Sequence, residues 1–312
     1  MPKGAVVVCV GQVVTDHSFR VDEIELPPSK VTARGYSVGV GGMAAHAAIA
    51  VARLGGRAVF WGRVGRDEAG EALRHALEEE GVDASGLVMA EGARTPLSAV
   101  IVDKVGERSI VTYRGERLPA DPSGLPLERL ARAGSVLCDP RWPEAAEAVF
   151  RAARERGLPA VLDAEKSEER VLRALVPLAG HAIFARTGLG IFAPGVAPEE
   201  GLWRALTSGP LALAAVTDGE KGTLWRAPGM NEARRQPSFP VEATNTTGAG
   251  DVFHGAYALA LAEGQAVEEA LRFASAAGAL RARDGRTPRR EMVDAMLAEG
   301  GDVPSIRARR KS

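Results

Sequence analysis

Residues 246–251, Thr-Thr-Gly-Ala-Gly-Asp, place small residues and a carboxylate directly before a helical pattern. Apolar residues recur after them at the spacing of one helix face, which predicts that the small residues lie at a helix N-terminus. Free backbone N–H groups and the positive end of the helix dipole bind anions there, and glycine lets a phosphate approach the backbone. Asp251 would stay ionised and take a proton from an alcohol that attacks this phosphate. The alternative is an N-terminal cap, in which Asp251 only satisfies backbone amides.

A second glycine pair, Gly41 and Gly42, precedes an alanine-rich run at 43–50, which predicts another helix packed close to a sheet. Residues 39–44 also match the dinucleotide pattern G-x-G-x-x-A, but they do not follow the first buried strand. The next strand leads into Gly62 and Arg63 rather than into the acidic residue that would hold a ribose. The phosphate-loop pattern GxxxxGK[ST] does not occur in the sequence. These two nucleotide-binding classes are therefore disfavoured.

The elements that must position these residues alternate along the chain as short β-branched runs and amphipathic helical stretches. Fully apolar strands separated by helices predict a mostly parallel sheet covered by helices on both faces, an α/β fold. The predicted strands are 5–10, 58–61, 135–138, 160–163, 182–184 and 211–217, and the predicted helices are 68–80, 143–156, 167–178 and 199–206.

Two segments, at about 17–39 and 95–115, interrupt this alternation. The second predicts a hairpin of 97–102 and 109–113 around a turn at 103–107, because its alternation is typical of half-buried antiparallel strands. We expect both segments to form a small β lid inserted into a single domain that spans 1–312. A lid would keep water away from a reacting phosphate.

Composition excludes several classes of function. The chain has 312 residues, 46% apolar residues and a net charge of −1, an ordinary globular balance that calls for no nucleic acid. Cys9 and Cys138 lie in apolar runs, which predicts two reduced core thiols rather than a disulfide or zinc site. The start does not resemble a signal peptide, and no apolar run reaches the ~18 residues of a membrane span. The basic stretch 307–311 is typical of a solvated tail. We therefore expect a cytoplasmic protein with no membrane partner.

Four motifs in this order resemble the ribokinase-like (PfkB) carbohydrate kinases over nearly the whole chain. They are the Gly-Gly helix start, Trp-Gly-Arg-Val-Gly-Arg-Asp at 61–67, Thr-Asp-Gly-Glu-Lys-Gly at 217–222, and the turn at 246–251 with Val-Phe-His-Gly-Ala after it. The resemblance implies a Rossmann-like three-layer core with a β lid, ATP and Mg²⁺ as cofactors, a small sugar as the partner, and a homodimer formed through the lids.

The resemblance also implies roles for single residues. Asp251 would be the catalytic base, and Gly248, Ala249 and Gly250 would form the anion hole. The residues implied on the sugar side are Asp16, Gly41 and Gly42, although Asp16 has the alternative of a cap at the end of a loop. Those implied on the nucleotide side are Thr217, Gly219 and Gly222, with Ser275 and Ala279 in the helix that borders adenine.

The sequence departs from the family pattern at three places. His46 stands where the family usually has a sugar-contacting asparagine, so it is either a sugar ligand or structural filler. The N-x-x-E element tied to magnesium and phosphate is missing near 184–188, so no metal-ligating residue can be named, although phosphoryl transfer still requires Mg²⁺. Asp139 follows a strand where many family members differ.

Closer similarity lies with the sulfofructose kinase branch, in which a lid lysine, a lid asparagine and an arginine hold the sulfonate. Lys30 and Arg141 match the lysine and the arginine, while Thr112 replaces the asparagine. A lysine and an arginine that converge on one end of a sugar would bind a sulfonate, phosphate or carboxylate. The sequence therefore predicts an anionic ketose such as 6-deoxy-6-sulfofructose as the substrate. The alternative for Lys30 is a salt bridge within the lid, and the alternative for Arg141 is a contact at the start of a helix. The alternative functions are a kinase of fructose, ribose or 2-keto-3-deoxygluconate, a nucleoside or vitamin kinase, and a non-catalytic regulator that binds a sugar or a nucleotide.

Overall fold

A computed structural model of the chain describes residues 4–24, 30–104 and 108–299. The strands in these ranges are β1 Val6–Val10, β2 Val14–Arg20, β3 Gly35–Gly41, β4 Arg57–Trp61, β5 Arg63–Gly65, β6 Val88–Ala90, β7 Leu97–Val102, β8 Arg108–Tyr113, β9 Ser135–Cys138, β10 Ala160–Ala164, β11 His181–Ala185, β12 Leu213–Thr217, β13 Thr223–Arg226 and β14 Arg234–Gln236. The helices are α1 Met43–Arg53, α2 Glu68–Glu79, α3 Pro143–Glu155, α4 Glu169–Leu175, α5 Arg186–Phe192, α6 Pro198–Ser208, α7 Ala249–Ala262, α8 Val267–Asp284 and α9 Arg290–Glu299.

The central sheet has eight strands in the order β14-β13-β12-β11-β10-β9-β1-β4. The six strands from β12 to β4 are parallel, and β13 and β14 add an antiparallel edge. This mostly parallel sheet confirms the predicted α/β fold class, and all six predicted strands are present within two residues of their predicted bounds.

Helices cover both faces of this sheet because successive side chains of its strands point to opposite sides. Val7 and Cys9 pack in one apolar cluster with α1, α7 and α8. Val8 and Val10 pack in the other with α3, α4 and α6. Parallel strands end at the same edge, so the loops that follow β1, β9 and β10 meet the N-termini of helices from both layers.

One predicted helix, 167–178, is shorter in the structure. Helix α4 ends at Leu175, and Val176–Leu178 form a 3₁₀ turn. Pro177 lacks the N–H that a continuing α-helix would donate to the carbonyl four residues earlier.

A separate four-stranded sheet, β3-β2-β7-β8, forms at the two segments predicted as a lid. The predicted hairpin is present as β7 and β8, which are antiparallel, and its turn partly lies outside the described residues. Register places Gly39, Asp16, Ser98 and Thr112 in one row across the sheet. Side chains of one such row lie on the same face, so Asp16 and Thr112 face the same side of the lid.

Within the described ranges, no helix combines the length and the apolar character needed to cross a bilayer.

Candidate active site

The turn at residues 246–251, called the anion turn below, begins α7 as the sequence predicts. Gly248 is the N-cap residue with φ +72°, a left-handed conformation that glycine adopts without strain, and Asp251 lies in the first turn of the helix. The Thr247 N–H donates to the Asn245 side-chain oxygen over 2.9 Å, which fixes the segment that enters the turn. The positive end of the α7 dipole therefore faces the place where Asp251 projects.

The second glycine pair begins α1 and is required by close contacts. Gly42 has φ +104°, and a side-chain carbon there would lie 2.4 Å from the Gln12 carbonyl oxygen. A side-chain carbon on Gly41 would lie 2.3 Å from the Asp16 carboxyl carbon. The backbone contact and the positive φ require glycine at 42, and Gly41 leaves the space that the Asp16 carboxylate occupies beside the start of α1.

Close packing of α1 on α7 brings the two helix starts together. A side-chain carbon on Gly255 would lie 2.5 Å from the Ala47 carbonyl oxygen, so the two backbones touch at this level. As a result, His46 Nδ1 lies 2.9 Å from an Asp251 carboxylate oxygen, and His46 Nε2 lies 2.9 Å from the Val40 carbonyl oxygen. Both ring nitrogens face acceptors, which favours the doubly protonated imidazolium.

The electrostatics of the site agree with this geometry. Burial lowers the pKa of His46, but the hydrogen bond and charge of Asp251, the Val40 carbonyl and Asp16 outweigh it and leave this pKa raised. Burial also raises the pKa of Asp16, while the charge of His46 and a hydrogen bond from Ser98 oppose that shift. The structure thus brings Asp16, Gly41, Gly42, His46 and Asp251 together at one site.

His46 should make the stability of the protein depend on pH. Its folded-state pKa is raised above the ordinary value of 6.5, so its contribution is full below about pH 6.5 and declines as pH rises through the raised pKa. We expect His46→Gln to lower the free energy of unfolding by about 1.5–3 kcal/mol at pH 6, and by less at each higher pH. Urea unfolding between about pH 6 and pH 9 measures this difference. His75→Gln, at an exposed histidine on α2, is the control, and a pH-independent effect of His46→Gln would contradict the assignment.

Asp139 follows β9 and is fully buried. One carboxylate oxygen accepts from the Gln12 N–H at 2.8 Å and the Ala44 N–H at 3.2 Å, and the other accepts from the Arg141 N–H at 2.8 Å. Burial raises the pKa of Asp139, and these three N–H groups oppose that shift. Asp139 therefore ties the loop after β1 to the first turn of α1 and the loop before α3.

The residues predicted on the nucleotide side lie near the antiparallel edge of the sheet and on α8. Thr217 ends β12, and Gly219 and Gly222 form a turn in which both have positive φ. Ser275 lies buried on α8, and its hydroxyl has no hydrogen-bond partner among the described residues. Ala279, one turn later on α8, is half-buried.

The three residues predicted to hold an anionic group of the sugar do not line one common cavity. Thr112 is exposed on β8, with its hydroxyl 3.4 Å from that of Ser98, in the row that contains Asp16. Lys30 is exposed at the start of the second described range. Arg141 lines a cavity of about 640 Å³, and neither Lys30 nor Thr112 is among the residues that line it. No contact in the described ranges joins Lys30 to Arg141.

Two arginines near the anion turn were not predicted as site residues. Arg108, on the lid strand β8, donates from Nη2 to the Asn245 side-chain oxygen at 2.7 Å. A side-chain carbon on Gly248 would lie 3.7 Å from both Nε and Nη2 of Arg281, which belongs to α8. One signal could have indicated Arg281: it is the first charged residue after the apolar run 273–280 on α8.

The part of the chain that the structure describes contains no group of three or more aspartate, glutamate, histidine or cysteine side chains arranged to hold a metal ion.

Known proteins share this architecture. The family model described as pfkB family carbohydrate kinase matches residues 5–288. A ribokinase of Bacillus subtilis is 31% identical over 83% of this chain and 87% of its own length. Fructokinase-2 of Oryza sativa is 30% identical over 88% of this chain and 87% of its own length. The structure of Arabidopsis thaliana ribokinase complexed with ribose and ATP superposes with a TM-score of 0.81 at 26% identity, over 94% of this chain and 98% of that one. This chain therefore belongs to the PfkB family of carbohydrate kinases, and it is a sugar kinase of the ribokinase and fructokinase type.

Proposed function

We propose that this sugar kinase transfers the γ-phosphoryl group of ATP to a hydroxyl of an anionic ketose such as 6-deoxy-6-sulfofructose, with Asp251 as the catalytic base. The observation that carries the transfer step is the position of Asp251 in the first turn of α7, beside Gly248 and His46. Arabidopsis ribokinase, which binds ribose and ATP, supports ATP as the donor. In this proposal the chain forms a single kinase domain, in which the lid sheet is inserted into the α/β core.

The proposed roles follow from the chemistry of each group. Asp251 accepts the proton of the attacking hydroxyl, and the backbone N–H groups of Gly248, Ala249 and Gly250 bind the developing negative charge. Asp16 binds sugar hydroxyls from the lid side of the site. Magnesium bound with the nucleotide neutralises phosphate charge in reactions of this type.

The cavity around Arg141 supports the anionic class of substrate. Five cationic side chains line it, those of Arg63, Arg114, Arg141, Lys166 and Arg170. Its only lining carboxylate, within the described ranges, is Glu168, which pairs with Arg170 at 2.7 Å. The excess positive charge favours a sulfonate, phosphate or carboxylate.

This cavity lies beside the loop that supports the sugar site. Gly11, Gln12 and Val13 line it, and the carbonyl of Gln12 lies against Gly42. The far end of a sugar held by Asp16 could therefore extend toward Arg141.

A substrate panel tests this proposal. We expect purified protein with Mg-ATP to phosphorylate 6-deoxy-6-sulfofructose with a higher kcat/KM than fructose, ribose or 2-keto-3-deoxygluconate. Removing one charge-assisted hydrogen bond costs about 1.5–3 kcal/mol, so Arg141→Gln should lower kcat/KM for the anionic ketose about 10–100-fold and spare neutral sugars. Arg151→Gln, at an exposed arginine of α3, is the control. Faster turnover of neutral fructose or ribose than of any anionic sugar would refute the anionic substrate.

We also propose a homodimer formed through the outer face of the lid. Tyr36 and Val38 on β3 and Val111 on β8 are 54–67% exposed on the face opposite Asp16. Exposed apolar side chains on both edge strands of one sheet face favour a protein–protein contact there. The molar mass of the purified protein from light scattering tests this proposal, and a monomer at micromolar concentration would refute it.

A further inference from the structure

Arg281 reaches the anion turn because α8 packs closely on α7. A side-chain carbon on Gly278 would lie 3.2 Å from the Ala249 carbonyl oxygen, so small residues let α8 pass beside the first turn of α7. Arg281 lies one turn further along α8. Its guanidinium therefore extends past the start of α7 to the open side of Gly248, where Nε and Nη2 lie 3.7 Å from the place of a side-chain carbon.

The hydrogen-bonding capacity of Arg281 is not fully used among the described residues. Its Nη1 is buried and has no partner among the described residues. Arginine carries five N–H donors in a fixed plane, and a buried donor without an acceptor is unfavourable. The carboxylate that acts on it is Asp251, which forms its short contact with His46 instead. Arg281 is thus a cation beside the anion turn with at least one free donor.

The lid supplies a second guanidinium at the same place. Arg108 lies on the same face of the lid sheet as Thr112 and Asp16, and it donates to the Asn245 side chain that also fixes the Thr247 N–H. Its positive charge is close enough to Arg281 to lower the pKa of that arginine, together with the larger effect of burial. Two like charges held this close without an ion-pair partner in the described ranges form a site that an anion would stabilise.

We propose that Arg281 is a further catalytic residue, which binds the non-bridging oxygens of the phosphoryl group while it is transferred. This inference rests on the proposed function. The sugar oxygen forms a bond to the γ-phosphorus, the bond from that phosphorus to the β,γ-bridging oxygen breaks, and ADP leaves with the electron pair. Asp251 accepts the hydroxyl proton. Negative charge on the phosphoryl oxygens is matched by the planar N–H donors of Arg281, and Arg108 adds positive charge when the lid covers the site.

Replacement of Arg281 by glutamine tests this role. Arginines that contact a transferring phosphoryl group contribute about 10³-fold or more, and single oxyanion donors about 10²-fold, so we expect Arg281→Gln to lower kcat roughly 10²–10³-fold. Affinity for the sugar and the melting temperature should stay close to those of the wild type. Arg283→Gln is the matched control, because Arg283 lies two residues further on α8, is exposed, and pairs with Asp284 at 2.7 Å.

Two further measurements separate catalysis from structural support. Arg281→Ala should regain part of its kcat when free guanidinium is added, and Arg281→Gln should bind ADP with aluminium fluoride more weakly while it binds ADP alone normally. An unchanged kcat in Arg281→Gln, or a loss that guanidinium does not restore and that parallels a fall in melting temperature, would overturn the proposal. Because each comparison uses a sugar that the wild type phosphorylates, failure of the proposed substrate class would appear separately, in the wild-type panel.

Discussion

Replacing Asp251 with asparagine is expected to lower kcat about 10²–10⁴-fold, the usual contribution of a positioned general base. Asparagine keeps the shape of the side chain at the first turn of α7 and loses only its ability to accept a proton. Steady-state phosphorylation of the best sugar from the panel measures the effect. Affinity for Mg-ATP, measured by calorimetry, should change little, because backbone N–H groups of the turn rather than the base provide most of the anion binding.

The control for this prediction is Asp294→Asn, which neutralises an exposed carboxylate on α9 and should leave kcat unchanged. A value of kcat for Asp251→Asn within about tenfold of the wild type would contradict the assignment of the base. The experiment also tests a different class of protein. A regulator that binds sugar and nucleotide without phosphoryl transfer would show no wild-type turnover for the variant to lose.

Asp251→Asn should also change the pKa of His46, in addition to kcat. The His46 imidazole donates to an Asp251 oxygen at 2.9 Å, so the variant also removes the negative partner of the imidazolium. The raised pKa of His46 depends largely on that carboxylate, and it should fall in the variant. A parallel fall in the pH range over which His46 stabilises the fold would show that the two residues act as a pair.

Sequence patterns predicted the elements of the fold because each is encoded locally. Uninterrupted apolar strands such as β9 and the glycine-capped start of α7 depend on residues that are neighbours in the chain. The lid hairpin was predicted for the same reason, from alternation within one short segment. Pro177 is a local signal for the end of α4. The helical spacing of apolar residues continues past it, which is why the predicted helix was too long.

The contacts of the site could not be predicted in the same way, because they join distant parts of the chain. His46 and Asp251 are 205 residues apart, and they meet only because Gly255 lets α7 lie against α1. Before the structure, His46 was either a sugar ligand or filler; the structure gives it a charged partner inside the site. Arg281 likewise depends on the approach of α8 at Gly278, a distance that no spacing in the sequence encodes.

Loss of Asp139 is expected to cost more folding stability than any other single change at the site. Its carboxylate accepts backbone N–H groups from two loops and from the first turn of α1. Gly11 leaves the space for it, since a side-chain carbon there would lie 2.3 Å from the carboxyl carbon. Alanine would leave these buried donors unpaired, at about 1–3 kcal/mol for each. We therefore expect Asp139→Ala to lower the free energy of unfolding by at least ~3 kcal/mol, measured by urea unfolding.

Asp163, at the end of the neighbouring strand β10, provides a matched comparison. It is equally buried, but one of its oxygens accepts no hydrogen bond among the described residues and lies 3.5 Å from His254 Nε2. As for Asp139, burial raises its pKa, here to about 7. When the pKa of a carboxyl is higher in the folded state than in the unfolded state, its ionisation destabilises the fold as pH rises above the unfolded-state pKa. Asp163→Asn removes that penalty, so at about pH 8 this variant should lose little stability or gain some. Asp139→Asn should lose stability, because its side-chain NH₂ group would face a backbone N–H donor. Equal losses in the two asparagine variants would mean that burial alone, and not the three donated hydrogen bonds, sets the importance of Asp139.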